Sequence, residues 1–376
     1  MESLPEPILI INQSDLKELT KKLQRSRQIA VDTESNSLFA YRERVCLIQF
    51  TIRDGDYLVD PLAVNDLSLL GPVFENPKIE KIFHAAEYDL LVMKRDYGFK
   101  FANLFDTMLA ARIVGRDKVG LGSLLEEIFG VKVEKKFQRA DWGKRPLSSG
   151  MLRYASMDTH FLIDLRKKLA GELDAVKRMP IAEEDFVRLC EVNGEGPAPR
   201  KINIWRMNGV RDLSPEEAAI LQELAVYRQA QAEKIDLPLF KVITDKTLVA
   251  IAASRPTSMY DFNAISGMTP GQVKRHGKGL LQAVQRGLAA KPSFQPRRPR
   301  IDEDLAERIE ALRNWRKERA KEMGVESDVI LPKDIMIALA NKNPGTPEGI
   351  AEIMADLPWR LKEFGREIGS TLNHKQ

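Results

Sequence analysis

Cysteine and histidine are scarce in this chain, two and four among 376 residues. No Cys-x-x-Cys or His-x-x-x-His pairing occurs, so a zinc site is not expected. Cys46 and Cys190 read as reduced, buried thiols, and the expected location is cytoplasmic. No run of about 18 apolar residues is present, which excludes a helical membrane span. The opening stretch, with Glu2, Pro5, Glu6 and Pro7, lacks the basic-then-apolar layout of a signal peptide. A Gly-x-x-x-x-Gly-Lys-Ser/Thr loop is missing as well, and with it the motif a helicase needs. Net charge is only +4, which permits a polyanionic partner without demanding one. What remains is 43% hydrophobic and 30% charged, a globular composition, long enough for two or three domains.

What is there is a set of carboxylates. Asp32 and Glu34 lie in Val31-Asp32-Thr33-Glu34-Ser35, at the end of a stretch that reads as a strand. Residues two apart on a strand share a face, so the two carboxylates emerge side by side. Asp89 falls near the first turns of an amphipathic helix marked by Tyr88, Leu91, Val92 and Tyr97. Tyr154 and Asp158 are four apart in a helical stretch and share one face, with Ser148 or Ser149 placed to cap that helix. Each piece alone fits a solvated carboxylate or a core aromatic. Together they offer oxygen ligands for two hard divalent cations, with a phenol beside them, which is equipment for phosphodiester hydrolysis.

The order and surroundings of these residues resemble the ribonuclease D family, within the exonuclease superfamily named for its Asp-Glu-Asp-Asp signature. A tyrosine four residues before the last Asp marks the tyrosine subclass. Further segments share the likeness: Cys46-Leu47-Ile48-Gln49-Phe50, Tyr57-Leu58-Val59-Asp60-Pro61, Leu104-Phe105-Asp106-Thr107, Ala140-Asp141-Trp142 with Arg145-Pro146-Leu147-Ser148, and Asp158-Thr159-His160-Phe161-Leu162. The resemblance implies a ribonuclease H-like α/β exonuclease domain, a mixed sheet flanked by helices. It implies removal of nucleotides one by one from an RNA 3′ end, with 5′-mononucleotides released and transfer-RNA precursors as the expected substrate. Two ions, Mg²⁺ or Mn²⁺, would be held by Asp32, Glu34, Asp89 and Asp158. Asp32 would bridge them, Glu34 and Asp158 would complete the ion that binds the attacking water, and Tyr154 would orient that water.

Strand stretches are expected at 8–11, 29–34, 45–51, 57–59 and 81–83, with a hairpin turn at Asp54-Gly55. Helices are expected at 14–24, 67–74, 87–97, 107–113 and 121–129, and as a single long helix over 150–169. Asn193-Gly194-Glu195-Gly196-Pro197-Ala198-Pro199 reads as a linker, after which helices dominate. The expected division is an exonuclease domain over 1–192, a linker over 193–210, a helical domain over 211–290, a basic Pro-rich linker over 291–300 and a second helical domain over 301–376. The two helical segments are an internal repeat. Tyr227-Arg228 aligns with Trp315-Arg316, Ala250 with Ala338, Pro256 with Pro344, Ile265 with Ile353 and Pro270 with Pro358, each 88 positions apart. Both resemble the helicase-and-ribonuclease-D C-terminal (HRDC) helical bundle. The second copy shows no clear counterpart of Leu239-Phe240 before Leu331-Pro332.

Candidate RNA contacts are Trp142 and Arg145, which either position the 3′ nucleotide or pin their loop, with pinning the stronger reading. The basic run Lys135, Lys136 and Arg139 precedes them. Lys274, Arg275 and Lys278, with Arg297, Arg298 and Arg300 of the second linker, are candidate phosphate contacts, against the plainer alternative of a solvated basic face. His84 either approaches substrate or metal or, on the stronger reading, ends a strand and bonds locally, which keeps it out of the catalytic set, and Asp106 reads as a helix N-cap. The expected partner is RNA with a free 3′ end, without an obligate protein partner. The competing activities are a 3′→5′ DNA exonuclease and a catalytically dead RNA-binding scaffold. The intact set of four carboxylates and Tyr154 argues against the scaffold.

Overall fold

The computed structural model describes residues 5–134, 136–193, 202–296 and 302–373. The chain divides into two units: Met1–Ser35, Val45–Gly196 and Arg300–Gln376 in one, Asn36–Arg44 and Pro197–Pro299 in the other.

In the first unit six strands form one sheet: β1 (Ile8–Ile10), β2 (Gln28–Ser35), β3 (Val45–Ile52), β4 (Gly55–Val59), β5 (Glu80–Phe83) and β6 (Leu104–Asp106). Their order is β1-β4-β3-β2-β5-β6. β3 runs antiparallel to both β2 and β4, while β2, β5 and β6 are mutually parallel. All eight residues of β3 are buried, which is why Val45-Cys46-Leu47-Ile48-Gln49-Phe50-Thr51-Ile52 reads as a continuous β-rich run rather than an alternating one. Ile52 pairs with Gly55, so the hairpin turns on Arg53 and Asp54, one residue earlier than the Asp54-Gly55 pair suggests.

Helices cover the sheet: α1 (Gln13–Arg25), α2 (Gly71–Glu75), α3 (Glu87–Tyr97), α4 (Thr107–Val114), α5 (Leu121–Phe129), α6 (Ser149–His160), α7 (Leu162–Ala175) and α8 (Met179–Cys190). Leu16, Leu19 and Leu23 of α1 are buried, and Phe50, Phe74, Phe83 and Leu90 lie at the centre of the same core. The expected helix over 150–169 is two helices, broken at Phe161, whose backbone (φ −94°, ψ −1°) closes one and opens the next. No proline or glycine announces that break; His160 is tied to Asp56 of β4 at 2.7 Å just before it. β6 and α8 were not anticipated.

The second unit carries the first helical copy, α9 (Pro215–Ile235), α10 (Leu239–Val242), α11 (Asp245–Ser254) and α12 (Pro270–Ala289), around Leu221, Leu224, Leu248, Phe262 and Leu280. Ser214 and Glu217 form a capping box at the start of α9.

The second copy belongs to the first unit: α13 (Glu303–Met323), α14 (Ser327–Ile330), α15 (Lys333–Lys342), α16 (Pro347–Ile353) and α17 (Pro358–Asn373). α13, α14 and α15 begin and end 88 positions after α9, α10 and α11, so the sequence repeat is a structural one. As expected, the second copy has no Leu-Phe pair where α14 stands for α10. Ser327-Asp328 takes those positions, and Asp328 bonds Arg112 of α4 at 2.7 Å. The copy is docked on the nuclease part by arginines. Arg360, fully buried, donates through Nη1 to Glu184 at 2.8 Å, through Nη2 to Asp185 at 2.9 Å and through Nε to the Val329 carbonyl at 3.1 Å. Gly115 (φ +100°) lies so close that a Cβ there would meet the Gly324 carbonyl oxygen at 2.5 Å.

Candidate active site

The site is assembled at one end of the sheet. Asp32 and Glu34 leave β2 opposite Gln49 and Leu47 of β3. α3 follows β5 and sets Asp89, 6% exposed, in its first turn, where it accepts a hydrogen bond from the Thr33 hydroxyl. Ser148 accepts from the Met151 amide at 3.3 Å and starts α6, which presents Tyr154 and Asp158 one turn apart. Tyr154 is held between Trp142, with ring centroids 6.1 Å apart, and the edge of Phe137 at 6.0 Å.

These side chains open onto a cleft of about 650 Å³. Asp32, Glu34, Tyr154, Asp158 and His84 line it together with Gly120, Gly122 and Ser123, where α5 begins, and with Lys132 and Gln138. Asp89 stands behind this surface but within electrostatic reach of it. Burial, and then the charges of Asp89, Asp158 and Glu34, raise the Asp32 carboxyl well above its ordinary range. Glu34 is pushed up to about 9 by burial and then by Asp158 and Asp89. Asp89 rises to about 7 through burial, against the Thr33 hydrogen bond, and Asp158 to about 7 through burial and then Asp89. Burial also raises the Tyr154 phenol, and the nearby carboxylates add to that. Four carboxyls packed so closely cannot all ionise without added positive charge.

The oxygen-only donor set suits hard divalent cations rather than zinc. Among the described residues, no three His, Cys, Asp or Glu side chains are closed up around a common point as they would be on an ion. Asp89 in particular is turned to Thr33. The residues fit such ions by chemistry and by charge, with side-chain rotation needed to ligate them.

The structure brings all five catalytic candidates together. Two of the RNA-contact candidates are engaged within the protein. Trp142 is 1% exposed and packed against Tyr154. Arg145 spends its guanidinium on Asp60 (2.6 and 2.7 Å) and on the carbonyls of Cys46 and Trp142 (both 2.7 Å). Both pin the loop that backs Tyr154. Lys274, Arg275 and Lys278 are exposed on α12 of the second unit, and Arg275 bonds the Gly271 carbonyl at 3.2 Å. Lys135, Arg297, Arg298 and Arg300 lie outside the described residues.

His84, set aside as a strand-end residue, lines the cleft. Its Nδ1 is 2.9 Å from Thr107 Oγ1, while the Thr107 hydroxyl donates to the Phe83 carbonyl at 2.9 Å. That hydroxyl must therefore accept from His84, so the imidazole carries its proton on Nδ1 and keeps Nε2 as an acceptor. Burial lowers its pKa, which keeps the ring neutral. Sequence gave no sign of the Thr107 partnership, 23 residues away.

Comparison with known proteins agrees with this geometry. A family model described as 3′-5′ exonuclease matches residues 7–174, and an HRDC domain model matches twice, over 217–284 and 306–372. Ribonuclease D of Pseudomonas paraeruginosa is 27% identical over 98% of both chains. Ribonuclease D of Gluconacetobacter diazotrophicus is 29% identical over 78% of this chain and 75% of its own. The crystal structure of Escherichia coli RNase D, described as an exoribonuclease involved in structured RNA processing, superposes with a TM-score of 0.68. It is 25% identical, covering 96% of this chain and 100% of that one.

Proposed function

The chain belongs to the ribonuclease D family of 3′→5′ exoribonucleases, and from that premise we propose that it trims the 3′ ends of transfer-RNA precursors by two-ion hydrolysis in the cytoplasm. The observation that carries the reading is the convergence of Asp32, Glu34, Asp158 and Tyr154 on one cleft, with Asp89 coupled to them. Asp32, Glu34, Asp89 and Asp158 would together hold Mg²⁺ or Mn²⁺ ions. When bound, such ions supply electrophilic pull on the scissile phosphate and acidify the attacking water.

The remaining tasks fall to the chain's own groups. Tyr154 stays protonated at neutral pH because its surroundings raise an already high pKa, so it donates a hydrogen bond and orients the reacting oxygen rather than acting as a base. His84 Nε2 is an acceptor suited to a hydroxyl of the terminal ribose. The start of α5, where the Ser123 and Leu124 amides bond the Gly120 carbonyl at 3.0 Å, would turn the amides of Leu121 and Gly122 to a phosphate.

The test is a 5′-labelled transfer-RNA precursor with an unpaired 3′ extension, alongside a DNA copy, with Mg²⁺ or Mn²⁺. Shortening from the 3′ end that stops at the mature terminus, on RNA and not with Asp32→Asn, is the expected result. Preferential degradation of the DNA copy, or of unrelated RNA over the precursor, would overturn the substrate assignment.

A further inference from the structure

Three residues separate the end of β5 from the start of α3, and one of them is held in an unfavourable backbone. Ala85 has φ +61°. Such left-handed backbone at Asp236, Arg255 and Asn343 ends a helix, where it is common. At Ala85 it leads into one, with His84 of the cleft on one side and α3, which carries Asp89, on the other. For a residue with a Cβ this conformation costs energy, so its surroundings must impose it.

Strand β6 supplies the clamp. Asp106 pairs with Phe83 in the parallel β5–β6 register, is 1% exposed, and turns its carboxylate to two helices at once. Oδ1 accepts from the Met108 and Leu109 amides at 2.8 and 3.0 Å, which caps α4. The same oxygen accepts from the Ala85 amide at 3.2 Å, and Oδ2 from the Ala86 amide at 2.7 Å. Ala86 stands at the N-cap of α3 and has no polar side chain of its own to cap it. Thr107, next in the chain after Asp106, holds the rest of the turn through the Phe83 carbonyl and the His84 ring. A cap for α4 alone would be served by Asn, Ser or Thr. A carboxylate adds negative charge that acts on Asp89, one of four acids already crowded together. The Ala86 amide on its second oxygen, and the two helix N-termini it faces, account for that choice.

We propose that Asp106 is a positioning residue for the nuclease reaction. By imposing the left-handed turn at Ala85 it sets the direction of α3, and with it the places of Asp89 and of the His84 ring at the cleft. The proposal rests on the reading of Asp89 as a metal ligand. Asp106 acts through the Ala85 and Ala86 amides rather than by touching substrate or ion.

Asp106→Asn separates this role from capping. With Oδ1 kept for α4, asparagine caps as well as aspartate does, but its NH₂ confronts the Ala86 amide, donor against donor. The variant and the parent are compared for kcat and KM on a labelled RNA and, without RNA, for Mn²⁺ affinity by titration calorimetry. The same substitution is made in a chain carrying Ala85→Gly, since glycine takes the left-handed backbone without steric cost. The expected result is a kcat about tenfold lower with KM nearly unchanged, and Mn²⁺ binding about fivefold weaker. In the Ala85→Gly chain most of both losses should disappear. A side chain that only caps α4 would show no loss, and one acting by its charge would show the same loss in both chains. Either outcome overturns the proposal. If Asp106→Asn does not fold, Ala85→Val takes its place. Ala85 lines an open groove of about 450 Å³, so valine has room there and only raises the cost of the left-handed backbone. Unaltered Mn²⁺ affinity in that variant also overturns the proposal. Asp89→Asn is the separating arm. Mn²⁺ binding indifferent to it would overturn the ligand reading itself, whereas binding lost there and kept in Asp106→Asn overturns the positioning role alone.

Discussion

The His84 imidazole donates through Nδ1 to Thr107 Oγ1 at 2.9 Å, because the proton of that hydroxyl is committed to the Phe83 carbonyl. The direction of this pair fixes the tautomer and leaves an acceptor in the cleft. His84→Leu removes the acceptor. A neutral hydrogen bond contributes about 1 kcal/mol, so kcat/KM on all-ribose RNA should fall about fivefold. On RNA ending in a 2′-deoxynucleotide the same substitution should change little if the 2′-hydroxyl is the donor. Equal losses on both substrates would move the contact elsewhere.

Asp32→Asn should lower activity by about a thousandfold or more, since it removes the shared charge at the centre of the carboxylate cluster. Tyr154→Phe should reduce kcat by roughly ten- to a hundredfold with little change in KM, because the phenol orients rather than binds. Steady-state kinetics on a short labelled RNA separates the two. A Tyr154→Phe effect confined to KM would assign the residue to substrate binding instead.

The clustered carboxyls also make stability depend on pH. Their folded values lie above the unfolded ones, with Glu34 near 9 and Asp89 and Asp158 near 7. The fold therefore binds these protons more tightly than the unfolded chain does. The associated stability is full below about pH 4 and is lost as pH rises through 7 to 9. In chelator the melting temperature should drop by several degrees between pH 6 and pH 9 from this source. Mg²⁺ should restore it, and Asp32→Asn should flatten the curve. A profile that climbs over that range in chelator contradicts the cluster.

Arg360 is fully buried between Glu184, Asp185 and the Val329 carbonyl. Burial raises the Glu184 pKa even though Arg360 opposes it, so the acid depends on its partner to remain charged. Arg360→Met leaves Glu184 and Asp185 unanswered and should cost about 3–5 kcal/mol. Adding Glu184→Met should recover much of that. Denaturant titration of both variants decides the matter. A double variant as unstable as the single would mean that packing, not charge, holds the helical copy in place.

The clustering of the four carboxylates and Tyr154 was legible because such chemistry leaves few choices of residue and because strand and helix spacing place the pairs without tertiary knowledge. Asp32 and Glu34 needed only the two-residue period of a strand, and Tyr154 and Asp158 only the turn of a helix. The break at Phe161 was not legible, since it is set by what His160 meets on β4 rather than by a local breaker. Strand β6 hid behind Asp106, whose capping of α4 (2.8 and 3.0 Å to the Met108 and Leu109 amides) dominates the local pattern. His84, Trp142 and Arg145 illustrate one difficulty. Their roles depend on partners 23, 12 and 85 residues away, and no period in the chain encodes such distances. No Leu-Phe pair recurs in the second copy because its positions are taken by Ser327-Asp328, and Asp328 serves the docking contact with Arg112.

Arg360 and Glu184 lie 176 positions apart. A ribosome adding about 5–20 residues per second reaches the arginine on the order of ten to thirty seconds after the glutamate. Through that interval every catalytic carboxylate already exists, while the acidic surface of α8 still lacks its counter-ion. The nascent nuclease thus waits for its last helix, and a message cut short after the first helical copy would yield a chain with its chemistry written in full and α8 left without its partner.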